Sequence, residues 1–395
     1  MEDDMRQQLA LATILALGST AAYSADTIIG ITGAITGPAA SSYAPAVDGL
    51  RIYVERLNKA GGVNGKQVKL LIQDDQGEPS KAANNAKKLL QDGAQIVVSA
   101  SLSSTYAPII AEAKRAEVPV LFAGSVCPKE VFPPADKLLF CTTAFTAEYD
   151  SRAAIDFVKE TKGTNLKLAL GAMAIPVSRG GIDFAEGYAK SLGMTIVDKQ
   201  IIPPTAADYM PFATKIKSAE PDLIYSWAPW INQVRTFEAM RKLGWQNTFV
   251  TWGHLEAEEE MVRLKDPNLL VLGANALFFN GDLPIHKEII AAAKAAGSTS
   301  NPNQLTEGWI AGLTIETLLK QIGSDNSSER IRSAMQTLKI DTKGLRGGPI
   351  EFTPTNHFRT TQYYRIYKWD SASNQITIPK NWFKYEIDPA GAGSR

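Results

Sequence analysis

The sequence predicts an α/β protein of two lobes, and three observations carry that prediction. Strand-like and helix-like segments alternate along most of the chain. The length of 395 residues leaves room for two lobes rather than one small core. A composition of 45% hydrophobic and 21% charged residues is that of a globular protein.

The elements follow in order. TIIGIT (27–32) reads as a strand, and Gly33, Gly37 and Pro38 then form a loop. Val47, Leu50, Val54 and Leu57 make a single apolar stripe at helical spacing, and Ala60-Gly61-Gly62 stops that helix. QVKLLIQD (67–74) is the next strand, and Pro79 opens a helix that Gly93 ends. The pattern repeats as QIVVSA, a helix through Pro108 to Ala116, and VPVLFAG. Three βα units so close together predict a mainly parallel sheet with right-handed crossovers. A Pro-rich segment around Phe132–Ala135 then marks a change of register.

A second series follows. It comprises KLALGAM, a helix from about Gly181 to Leu192, MTIVDKQII, a helix near Asp208–Ala219, DLIYSWAP, a helix through Ile231–Leu243, and TFVTWG. LLVLGANALFF (269–279) leads to helices near 305–322 and 325–338, and TTQYYRIYKW and ITIP alternate as closing strands. Two sheets of similar size are expected.

The N-terminus predicts export. LALATILAL (9–17) is too short to cross a bilayer, which takes about 20 residues, and Ala22-Tyr23-Ser24 suits cleavage before Ala25. Residues 1–24 therefore read as a signal peptide. Glu2, Asp3 and Asp4 do not suit its positive start, whereas Met5 would give a conventional MRQQ beginning. Loss of residues 1–24 removes three acids and one base and changes the formal charge from zero to +2. That charge, without a basic cluster, gives no reason to expect nucleic acid as a partner. Export permits a disulfide between Cys127 and Cys141, which flank VFPPADKLLF; the alternative is one loop thiol and one small buried residue.

Ligands of open α/β sheets bind beyond the carboxyl ends of strands. Three loops meet that criterion. In the first, Gly33 to Pro38 permit close backbone approach and Ser41, Ser42 and Tyr43 offer hydroxyls, although either serine could simply cap the helix. The second, Ser99 to Tyr106, holds Ser103, Ser104 and Thr105 at a helix start, more hydroxyls than capping requires, and predicts a carboxylate cup. The third contains Gly124 and Ser125. In the second series Trp227, Trp230 and Trp252 stand at strand ends, with Tyr149 just after the lobe change, and together predict an apolar cleft wall. Arg179 is either a carboxylate clamp or a solvated side chain.

Catalysis is not expected. The histidines His254, His286 and His357 show no metal-ligand spacing, and GxSxG, HExxH and phosphate-loop motifs are absent from the sequence. Glu256, Glu258, Glu259 and Glu260 form an acidic helical run expected to face solvent. No cofactor or metal is expected.

The run GxxGPAAxxxxxAxxGLxxYVERLNKAGGVNGKxVxLxxxDDxxxPxKAxxxAKKLL spans Gly30 to Leu90, with Asn58, Gly61, Gly62, Gly65, Asp74, Asp75 and Pro79 in place. It resembles the branched-chain amino-acid-binding group of periplasmic solute-binding proteins that serve ABC transporters. The resemblance implies a type I periplasmic-binding-protein fold of two Rossmann-like lobes joined by three crossing strands, near Phe145, Phe278 and Phe352. By that analogy lobe 1 is 25–145 plus 280–352, and lobe 2 is 146–279 plus 353–395. It also implies a periplasmic monomer that delivers a small molecule to a membrane permease with its ATPases. In relatives the first lobe holds the ligand carboxylate through hydroxyls and amides, which corresponds to Ser103, Ser104, Thr105, Gly124 and Ser125. Trp227 stands roughly where relatives carry a tyrosine. The acid that receives an ammonium should fall near Trp252-Gly253-His254, where the sequence has none before Glu256. A small carboxylate without an amine, aromatic or otherwise apolar, is therefore expected ahead of an aliphatic amino acid, with His254 available to a ring hydroxyl.

Overall fold

The computed structural model describes residues 27–387 apart from 125, 254, 255 and 282; the signal-peptide reading of residues 1–24 lies outside them. The first series runs β1 (Thr27–Gly33), α1 (Ala40–Lys59), β2 (Val68–Asp74), α2 (Pro79–Gln91), β3 (Ile96–Ala100), α3 (Tyr106–Ala116), β4 (Val120–Phe122) and β5 (Leu139–Cys141). The second runs α4 (Ala147–Lys162), β6 (Lys167–Met173), α5 (Pro176–Ser191), β7 (Thr195–Ile202), α6 (Met210–Ser218), β8 (Leu223–Trp227), α7 (Trp230–Lys242), β9 (Thr248–Trp252), α8 (Ala257–Leu264) and β10 (Leu269–Gly273). There follow α9 (Pro284–Ala295), α10 (Thr306–Ile322), α11 (Ser328–Met335), the short β11 (Lys339–Ile340) and β12 (Ile350–Glu351), and the hairpin β13 (Thr361–Asp370) and β14 (Gln375–Glu386).

The first sheet has the order β2-β1-β3-β4-β5 and is parallel throughout. The second has the order β14-β13-β10-β9-β8-β6-β7, parallel from β10 to β7, with the hairpin added antiparallel at its edge. The sheets are therefore unequal, five strands against seven, because the terminal hairpin extends the second. Within each parallel part the second strand lies outside the first and the third lies on its other side. That reversal creates a crevice beyond the carboxyl ends of β1 and β3, and another beyond β6 and β8.

The α1 stripe buries Val47, Leu50, Val54 and Leu57 in the first sheet's core, together with Ile29, Ile31 and Trp309. The return helix α10 reaches α1 closely because it carries glycines. A Cβ at Gly308 would lie 1.9 Å from the Ala46 carbonyl oxygen, and one at Gly312 would lie 2.3 Å from the Tyr53 ring. This contact holds the N-terminal turns of α1, and Tyr43 with them, against the end of the sheet.

The chain passes between the sheets three times, at 142–146, 274–283 and 352–360. A buried polar network ties these connections together. Glu307 pairs with Arg346 at 2.7 Å and accepts from Asn275 at 3.1 Å, and Arg346 also donates to the Thr142 carbonyl. Gln362 donates to the Ala144 carbonyl at 2.6 Å, and Arg359 donates to that of Thr143. Cys127 and Cys141 form a disulfide, which fastens the segment after β4 to the end of β5.

Candidate functional site

The hydroxyls after β3 divide their tasks. Ser101 donates to Asp75 at 2.6 Å, and Asp75 also accepts from Thr32 at 2.8 Å and from the Gly77 amide at 2.8 Å. Burial nevertheless raises the Asp75 carboxyl. Thr105 turns back to the Leu102 carbonyl at 2.8 Å and closes the turn that leads into α3. Ser104 is half-buried. Ser103 differs: it is 8% exposed, and its Oγ has no hydrogen-bond partner among the described residues. Of the described residues of the predicted cup, then, Ser103 offers a buried hydroxyl without a partner.

Gly124 follows β4 at φ +76°, and a Cβ there would lie 2.6 Å from that of Ala46. Only glycine allows this approach to α1. Tyr43 is buried beside it, its phenol pushed well up by burial and by the charges of Glu256 and Asp75. Ser125 and His254 lie outside the described residues.

The opposite wall comes from the second sheet. Trp227 ends β8 and Trp252 ends β9; their rings stack 5.0 Å apart at 20°, and Phe145 meets Trp252 edge-on at 4.2 Å. The Trp227 indole donates to Asp150 at 3.1 Å. Asp150, only 1% exposed, also accepts from the Tyr364 hydroxyl at 2.7 Å and the Thr146 amide at 3.1 Å. Burial pushes its carboxyl up to about 7. Asp150 thus braces the wall from behind with its acceptors engaged. The sequence signal for it was slight, an acid in the first turn of a helix, α4, that the alternating pattern did not reveal.

Three predicted residues lie elsewhere. Trp230 begins α7 and packs with Tyr209, Val234 and Phe237 in a core on the other face of the second sheet. Tyr149 is buried in the core and stacks on Phe132. Arg179, expected in a loop, is exposed in the first turn of α5, which starts at Pro176 rather than near Gly181. Proline at that end supplies the preset φ that begins the helix early.

The acidic run is also corrected. Glu256 is 8% exposed and accepts from Ser42 at 2.9 Å, so Ser42 does not cap α1. Glu258 accepts the Phe278 amide, and burial raises its carboxyl to about 7. Glu259 accepts from Asn301 at 2.6 Å and Gln304 at 2.8 Å. Glu256 thus joins the start of α8 to α1, and Glu258 joins α8 to the connection at 274–283, whereas Glu259 is exposed, as the sequence predicts.

Tyr43, Gly124, Trp227 and Trp252 line one small cavity of about 10 Å³, with Ile175 and Ser178 among its other neighbours. Ser178 is fully buried, and its Oγ has no partner among the described residues. Ser103 lines an adjoining cavity of about 520 Å³. Four predicted residues thus meet in one place and a fifth stands next to it. No three of the described His, Cys, Asp and Glu residues are grouped to hold a metal ion.

Two sheets of this topology, three connections and a junction lined by residues from both define a two-lobed binding protein. A sequence profile described as periplasmic binding protein matches residues 27–374, and the chain belongs to that family. It is similar to the Leu/Ile/Val-binding protein BraC3 of Rhizobium johnstonii, 24% identical over 353 residues that cover 88% of this chain and 92% of the relative. The branched-chain amino acid transporter substrate-binding protein LivJ of Streptococcus pneumoniae, in complex with isoleucine, superposes with TM-score 0.74 at 18% identity, covering 90% of this chain and 100% of that one. An R. palustris ABC-transporter solute-binding protein in complex with 4-hydroxybenzoate superposes with TM-score 0.76 at 16% identity, covering 91% and 97%. At such identities the two structures speak for the fold.

Proposed function

We propose that this chain is the periplasmic capture subunit of an ABC uptake system and that its ligand is a small apolar carboxylate, aromatic by preference. The observation that carries this reading is the Ser103 hydroxyl of the first wall, without a partner among the described residues, in a chamber adjoining the cavity bounded by the stacked Trp227 and Trp252 of the second. A carboxylate gains charge-assisted hydrogen bonds at the first, and a planar apolar body gains contact at the second. Contacts from both lobes favour the closed arrangement, which a permease with its ATPases then engages. In this reading the lobes are 25–145 plus 280–352 and 146–279 plus 353–395, residues 1–24 are removed on export, and the mature protein is a monomer.

A hydrophobic amino acid is the second reading, and a specific observation favours it. Glu256 is buried and close enough to Tyr43 to raise its phenol, so an acid does reach the junction. Thermal shift with benzoate, 4-hydroxybenzoate, 3-phenylpropanoate, leucine, valine and phenylalanine separates the readings. A ligand at one hundred times its Kd stabilises by about 2.7 kcal/mol, which such a scan resolves. Stabilisation by leucine or valine and by none of the aromatic acids would replace the first reading with the second.

A further inference from the structure

The space available for a ligand lies beside the tryptophan pair. The cavity bounded by Trp227 and Trp252 measures about 10 Å³, and its neighbour, which shares Val126 and Val177 with it, measures about 520 Å³. A space of roughly 10–15 Å³ holds about one water molecule, whereas roughly 300–1,000 Å³ takes a drug-sized ligand. The larger chamber is walled by Ile110, Phe132, Pro133 and Val177, and the Ser103 hydroxyl supplies a buried polar group without a partner among the described residues. Lys129, Glu130 and Glu148 also line it. Burial holds the Glu148 carboxyl above its usual range.

We propose that this chamber takes the apolar body of a monocarboxylate longer than a single ring or a leucine side chain, an arylalkanoate, with its carboxylate on Ser103. The inference rests on the carboxylate reading above and adds the ligand's length to it. Chain length then governs affinity, because each buried methylene strengthens binding by about fourfold at full burial.

The test uses benzoate, 3-phenylpropanoate and 5-phenylpentanoate by isothermal titration with the wild type, Gly180→Phe and Gly187→Phe. Both glycines lie in α5, and a Cβ at either meets nothing within 4 Å, but only Gly180 lines the chamber. In the wild type 5-phenylpentanoate is expected to bind at least about tenfold tighter than benzoate. Gly180→Phe is expected to remove that gain while changing benzoate less than about threefold, and Gly187→Phe to leave all three unchanged. Benzoate binding with no gain from length, or a gain that survives Gly180→Phe, overturns the chamber proposal and leaves the carboxylate reading standing. Failure of all three acids to bind overturns both.

Discussion

The two walls of the junction are built on opposite principles. The first-lobe wall is made of turns and small residues: Gly124 pressed on Ala46, Thr105 closing its own turn, and Ser103 with a buried hydroxyl that nothing in the described protein engages. The second-lobe wall is made of large rings whose polar edge is secured from behind, with Asp150 receiving Trp227, Tyr364 and Thr146. An unpartnered hydroxyl is a polar group waiting for a ligand, while a braced indole is a surface already formed. Under the proposed function, recognition of charge falls to one lobe and recognition of shape to the other. It also separates residues whose loss damages the protein from residues whose loss damages only binding.

The largest effect should follow from removing the braced surface. Trp227 is buried and stacks on Trp252, so Trp227→Ala is expected to destabilise by about 3–5 kcal/mol. Trp227→Phe keeps a ring but deletes the donor to Asp150, and should destabilise by a smaller amount, about 1–3 kcal/mol relative to wild type. Urea denaturation of the three proteins measures both. If Trp227→Phe matched the wild type, the bond to Asp150 would not be what secures the wall.

The same contrast explains what the sequence could disclose. The α1 stripe, the strand-end tryptophans and the glycine loops are local patterns, and Val47, Leu50, Trp227, Trp252 and Gly124 fall where those patterns put them. Trp230 does not, because three residues beyond Trp227 the chain has turned into α7 and presents its ring to the other face of the sheet. The polar partners are not local at all. Ser42 and Glu256 are 214 positions apart, as are Asp150 and Tyr364, and Asp150 and Trp227 are 77 apart. Neither periodicity nor turn chemistry reports such pairs, so Glu256 and Glu258 read as part of a solvated face and Asp150 gives no signal. Thr105 reads as a ligand group for a related reason: sequence counts hydroxyls but does not show which are already committed.

Asp150 makes the braced wall sensitive to pH. Its folded carboxyl is raised to about 7, against about 3.9 in an unfolded chain. The folded protein therefore holds a proton that the unfolded chain releases. The resulting stability is fully present below about pH 4 and is lost as pH rises to about 7, by up to about 4 kcal/mol. Glu258, also raised to about 7, acts in the same direction. Denaturation at pH 5 and pH 8 should show the wild type less stable at pH 8, with a smaller difference in Asp150→Asn. Asparagine keeps an acceptor for the Trp227 indole and cannot ionise. An unchanged pH difference in Asp150→Asn would assign the effect to other groups.

The smallest effects on stability give the sharpest separation of roles, and they come from two neighbouring residues. Ser103 and Thr105 belong to one turn, and both are buried. The Thr105 hydroxyl has a partner in the Leu102 carbonyl, so Thr105→Ala should lower stability by about 1 kcal/mol and change ligand affinity little. The Ser103 hydroxyl has none among the described residues, so Ser103→Ala should leave stability within about 0.5 kcal/mol of wild type. If a carboxylate binds there, the same change removes a hydrogen bond to a charged group, roughly 1.5–3 kcal/mol or about ten- to a hundredfold in affinity. Measured side by side with benzoate, the two alanine variants should fail in opposite ways, one in stability and the other in binding. Equal losses of affinity in both would mean that the turn acts as a unit, and the division of tasks among its hydroxyls would no longer hold.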